Sequence, residues 1–332
     1  GTGADGGGIL GSFSDIEIRN SAITANQAAD GGSFGGSGGG IFVSGNTLTI
    51  DNSIIEGNVT GDGTTIGGSG GGVGANVTTI DIRGSEVRNN RTGDGSSAAL
   101  AGRGAGINFE NGNPQQLPVL TIENTIIDGN ITGTTTRGVG GGIRTRSVTD
   151  MFLRDSVVSN NTGYHGGGII LDNGRAQLIS NTVISDNVAT GGEGGGGIHL
   201  EVGELVRMES TTISGNQALG AISGIGGGGG IFSQGTIGVI VNSTISGNST
   251  NSIGGGIANR NSLGQLLNTT IVDNTAAVGG GLYHANSVGT TYRIDRLENT
   301  LIANNTANVG EPQDVSLSGV APGVASTNLI DD

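Results

Sequence analysis

The chain has 332 residues, 70 of them Gly, with aromatics at 3%, no Cys and no Lys, so its 14 basic side chains are all Arg. A net charge of −14 and a pI near 4.4 exclude a phosphate-binding surface, because nucleic-acid partners need clustered cations. Absent Cys excludes a disulfide framework or a thiolate metal site without fixing a compartment, and no stretch approaches the ~18 apolar residues of a membrane helix.

From the N-terminus onward two motifs alternate. The first is a small-residue triplet followed by an aliphatic residue, ending at Ile9, Ile41, Val73, Ile107, Ile143, Ile169, Ile198, Ile231, Ile257 and Leu282. The second reads aliphatic-x-[NDSG]-[ST]-x-aliphatic-x-x-N and closes at Asn26, Asn58, Asn90, Asn130, Asn161, Asn187, Asn216, Asn248, Asn274 and Asn305. Ten copies of each define ten repeats, the shortest spanning 25 residues from Ile257 to Leu282. Apolar residues alternate around both motifs, as in "LTIDNSIIEGN" (48–58), which is the two-residue period of strands. Length alone suggests two or three domains. The repeat instead predicts one all-β body, a right-handed parallel β-helix of about ten coils over 1–305, with about three short strands per coil. Residues 306–332 are expected to form a terminal coil or a capping or joint segment.

The fixed residues have physical reasons in that geometry. An Asn at the same corner of every coil tolerates a left-handed backbone there and hydrogen-bonds its amide to the coils above and below. Glycine before the first strand permits a positive-φ turn or close backbone approach. Strings such as N-x-[ST] at Asn58 and Asn248 are then internal, and not glycosylation acceptors.

The pairing of "GGGI" with "ISGN", as in 228–231 and 245–248, resembles the GGA[ILV] and FxxN repeats of bacterial polymorphic outer membrane proteins, with Ile in place of Phe. The ending "NNTANVGEPQDVSLSGVAPGVASTNLIDD" (304–332) is similar to the helix-closing region of secreted bacterial proteins of the choice-of-anchor Q type. These resemblances imply an extracellular or outer-surface location, adhesion to surface glycans or other cells, and no direct membrane insertion by this segment. They do not settle chemistry, because the same fold also hosts polysaccharide lyases and hydrolases.

Taken in chain order, the first departures from the repeat are the loops of 14, 14, 16 and 12 residues after Asn26, Asn58, Asn90 and Asn130, against seven after Asn161 and Asn274. Insertions in a solenoid collect on one face, often the binding face. Asp30, Asp62 and Asp94 occur four residues after the ladder Asn in three of these loops. If the loops stack, calcium is the expected cofactor; the alternative is that Asp-Gly merely turns the chain.

Two charged columns follow, Arg19, Asp51, Arg83, Glu123 and Arg154 in five consecutive coils, and Glu56, Arg88 and Asp128 in three. Their alternating signs predict pairing that sets the coil register. Further along, Asp172 and Glu201 fall at one outward position in adjacent coils, with Arg146 a coil earlier and His199 two residues from Glu201. Stacked carboxylates suit acid and base roles in glycan cleavage, although Arg146 can neutralise Asp172. Phe42, His199, Phe232 and Tyr283 form an outward column offering stacking platforms for sugars, while His165 lies in a loop and His284 points inward. The expected function is a structural or adhesive rod, non-enzymatic. Alternatives are a polysaccharide-degrading enzyme using the Asp172 and Glu201 face, and a calcium-stabilised adhesin. The chain opens on Gly1 within a repeat, with neither Met nor signal peptide, so it is expected to be part of a longer protein. Its first coil has no capping helix, which predicts end-to-end self-association.

Overall fold

The computed structural model describes all residues except 96–100, 112–117, 134–137, 148–149, 193, 221–225, 286–293, 309, 319–323, 327 and 331–332. Every strand pairing is parallel, from Ile9–Ser12 on Ile41–Asp51 at one end to Leu301–Ala303 on Leu329–Ile330 at the other. The strands join into sheets of 20, 11 and 4 strands, residues sitting over their counterparts one repeat away except where Gln177 adds a bulge between Ala176 and Leu178. The chain is therefore a right-handed parallel β-helix. The coils stack at the ~4.8 Å spacing of paired strands.

Ile, Leu and Val from each coil stack into continuous rows, and nearly all of the core is fully excluded from solvent. Ile41, Val73, Ile107, Ile143, Ile169, Ile198, Ile231, Ile257 and Leu282 make one such row through consecutive register pairs. β-branched aliphatics suit it because a stiff side chain fits a pleated surface without losing much rotamer freedom.

The ten asparagines form the ladder expected of them. Asn187 Oδ1 accepts both the backbone N–H and the Nδ2–H of Asn161, each at 3.0 Å, while its own Nδ2 donates to Val158 O and Asn216 Oδ1, each at 2.9 Å. The same bonds link Asn26 to Asn58 and Asn274 to Asn305, and Asn58 through Asn274 are essentially unexposed.

The left-handed corner is elsewhere. Positive φ belongs to the residue before each ladder Asn, from Ala25 at 55° through Asn160 at 55° to Asn304 at 58°. It also belongs to the residue before the buried Ser or Thr of the second motif, as at Asn52, Asn242 and Asn299, with φ of 47°, 50° and 48°. The ladder side chain itself must point inward to meet its neighbours, so the reversal falls one residue earlier.

That Ser and Thr row is a second internal ladder: Ser53 Oγ accepts the Ser21 N–H at 3.1 Å and donates to Asp51 O at 2.8 Å. The glycine triplet explains why the two motifs travel together. A methyl group at Gly40 would meet Asn58 Cγ at 3.0 Å, and one at Gly230 would meet Asn248 Cγ at 3.2 Å. The third glycine of each triplet is the space its own ladder Asn occupies.

Residues after 305 add an eleventh coil, in which Val315–Ser318 pairs with Leu282–Ala285 and Val324–Ser326 pairs with Ile294–Glu298. Here the triplet reads Pro312, Gln313, Asp314, so an acid stands where earlier coils have the third glycine. Asp314 is 2% exposed, and its Oδ1 accepts the Asn305 N–H at 3.0 Å and Nδ2–H at 2.6 Å. It fills the ladder position and ends the column.

Candidate functional site

Three groups of side chains interrupt the repeat. The first is the Asp30, Asp62 and Asp94 loop stack, where Gly31 and Gly63 are bridged in parallel, so the loops are in register as expected. All three aspartates line one open cavity along the loop stack, and each carboxylate has a protein partner. Asp30 Oδ1 accepts the Asp62 N–H at 2.8 Å, Asp62 Oδ1 accepts the Asp94 N–H at 2.7 Å, and Asp94 Oδ2 accepts from Arg91 Nη2 at 2.7 Å. Among the described residues no group of three or more His, Asp or Glu is placed to hold a metal ion.

The second group is the charged columns. Arg19, Asp51, Arg83 and Glu123 stack in register, followed by Arg154. Register does not make every ion pair. Arg83 lies 3.5 Å from Glu123 but only 2.8 Å from Asp81, two residues back on its own strand, and Arg19 pairs with Glu17 in the same way. Arg154 packs its guanidinium 4.8 Å from the Phe152 ring centroid. The next outward position on the same strand is about 6.6 Å away, against about 4.8 Å to the coil above, and a long Arg side chain reaches either. In the other column Arg88 does bridge to Glu56, at 3.2 Å, while Asp128 accepts from Ser159 and Asn160 instead.

The third group is the outer face of the strands that follow the glycines. Its column runs from Phe42 through Gly74, Asn108, Arg144, Ile170, His199, Phe232 and Ala258 to Tyr283. The expectation of sugar-stacking platforms fails for two of its members, since His199 and Phe232 are 3% and 0% exposed. Alternation sorts residues into inward and outward but does not say what lies over the outward ones. Here the loop entering the next triplet folds back over the strand. Gly140 and Gly166, at φ of 73° and 66°, lie so close to Ile170 that an added methyl would meet it at 2.7 and 2.9 Å. Ile253 and Val278 cover Phe232, Ala258 and Tyr283, making a small second core outside the helix.

Within this layer His199 is sealed between the His165 and Phe232 rings, with centroids 6.0 and 5.2 Å away, and burial pushes its pKa down to about 3. His284 points into the main core, fully buried as expected, and burial lowers its pKa too.

Of the two candidate carboxylates, Asp172 is held between arginines. Arg146 sits directly over Asp172 in register and below Glu110. Asp172 Oδ2 accepts from Arg144 Nη2 at 2.7 Å and lies 3.6 Å from Arg146 Nε; Glu110 is 3.3 Å from Arg144 and 3.1 Å from Arg146. Glu201 is exposed and lies one residue past the strand Ile198–Leu200. Sequence reasoning found Arg146 and Asp172 but missed Arg144, because its outward position reads as solvent. The one signal was a lone Arg among apolar residues in its column.

Fold and site together define a parallel β-solenoid whose one lateral face carries a second layer and an interlocked arginine and carboxylate cluster. No family model matches the chain, and neither a curated protein nor a solved structure does so.

Proposed function

We propose that this chain is the rod of a bacterial extracellular or outer-surface protein, serving as a stiff spacer whose lateral face makes adhesive contact. The observation that carries this reading is the pairing of Asp172, one of the two acid and base candidates, with both Arg144 and Arg146. The likeness of the GGGI and IxxN motifs to polymorphic outer membrane protein repeats, and of the tail to choice-of-anchor Q proteins, supports the surface setting. End-to-end assembly into fibres belongs to the same reading.

Beads coated with the purified chain are expected to bind cells or immobilised glycans above beads coated with an unrelated acidic protein, without shortening any glycan. Reducing ends released from a polysaccharide, and lost in Glu201→Gln or Asp172→Asn, would overturn the reading in favour of an enzyme. Because the Asp30 and Asp62 carboxylates serve backbone amides and that of Asp94 pairs with Arg91, a chelator is expected to leave the melting temperature unchanged. A fall matched by Asp62→Asn would instead make the rod a calcium-stabilised adhesin.

A further inference from the structure

Three of the 14 basic side chains meet where the fourth and fifth coils stack, in a molecule whose net charge is −14. Arg144 is 1% exposed, with Nη1 donating to Asn108 Oδ1 at 3.0 Å and to Glu110 Oε2 at 3.3 Å, and Nη2 donating to Asp172 at 2.7 Å. Its buried Nε has no partner among the described residues. Arg146, nearly half exposed, shares the same two carboxylates.

Arg103 enters this cluster from the covering loop. The next residue, Gly104, turns at φ 60° and lies so close to the strand that a methyl on it would meet Asn108 Cα at 2.7 Å. Arg103 is half-buried and makes no ion pair among the described residues, while Arg144, Glu110, Arg146 and Asp172 are all near enough to act on its charge. Burial holds its pKa below the usual guanidinium range, and Arg144 pushes the same way.

Among the described residues, three guanidiniums against two carboxylates leave one positive charge uncompensated at a partly desolvated site. A third carboxylate would complete an alternating set of three and three, in the planar fork geometry that guanidinium favours. Ser44 and Asn76, two residues past Phe42 and Gly74 on their strands, stack on each other in the two preceding coils and add polar groups suited to hydroxyls.

We propose that Arg103, Arg144 and Arg146 form a binding site for one carboxylate group of an acidic saccharide, with Arg103 and the outer edge of Arg146 receiving it. The proposal rests on the adhesive reading and names the ligand class of its lateral face.

Titration calorimetry with tri-galacturonate as probe tests it. The expected result is one saturable site that weakens with added NaCl and falls about 10-fold or more when the carboxylates are methyl-esterified, the factor that about 1.4 kcal/mol confers. Arg103→Gln, at a half-buried loop position, is expected to lose a similar factor with an unchanged circular dichroism melt, and Arg103→Lys to recover part of it. Equal affinity for the neutral ester, full affinity in Arg103→Gln, tighter binding of inorganic sulfate or of an oligoglutamate peptide, or no saturable site would each overturn the proposal. Saccharide binding by a chain whose coated beads adhere to nothing would keep the site and remove the adhesive reading.

Discussion

His199 shows how one residue ties the outer layer to acidity. Unfolded, its imidazole titrates near 6.5; in the native state, between His165 and Phe232, it titrates near 3. Between those values the unfolded chain holds a proton that the folded one lacks. Stability is therefore full above pH 6.5 and falls as pH drops toward 3, by about 1.4 kcal/mol per pH unit from this group. His284 acts in the same direction, since its pKa is lowered as well. His199→Phe matches its apolar neighbours Ile170 and Phe232 in the column. Urea unfolding at pH 7.5, 5.5 and 4.5 is expected to show the variant gaining on the parent chain as pH falls. A constant difference across the three would contradict the assignment.

At the scale of the element, the eleventh coil depends on one carboxylate. Asp314 Oδ1 accepts the buried backbone N–H of Asn305 and shares its Nδ2–H groups with Ile271 O and Ala303 O, and an unmet buried donor costs about 1–3 kcal/mol. Asp314→Ala is expected to release the last coil, seen as faster amide exchange in Leu301–Ala303 and Val315–Ser318 with earlier coils unchanged. Asp314→Asn keeps the acceptor and is expected to exchange like the parent. Uniform protection in the alanine variant would show that the coil holds without its cap.

Over the whole molecule, the repeating positions were legible in the sequence because each faces the same surroundings in every coil. The Asn column, the aliphatic rows and the register of Arg19, Asp51, Arg83, Glu123 and Arg154 all follow from motif spacing. What escaped reading depends on a layer that spacing does not encode. The loops return over the strands, burying His199, Phe232 and Arg144, and the arginines choose between a neighbour on their own strand and one on the next coil. The candidate site was half visible for this reason: Arg146 and Asp172 lie in aligned columns, whereas Arg103 comes from a loop and Arg144 from a position that looks solvent-facing. Solenoid coils touch only their neighbours, so one whole unit is expected to be removable. Deleting 249–274 joins Asn248 to Thr275 as Asn274 was joined, and the shortened chain is expected to fold and to lose about 4.8 Å of length by small-angle scattering. An unfolded product would mean that coils are not interchangeable.

The ladder bonds keep one length, 2.9 to 3.0 Å, whether the two asparagines are 26 residues apart, as Asn248 and Asn274 are, or 40 apart, as Asn90 and Asn130 are. Axial pitch and lateral ornament are thus independent variables in this chain. Gene duplication can lengthen it as one lengthens a ruler, a graduation at a time, while loops of any size are rewritten on its side without moving the marks.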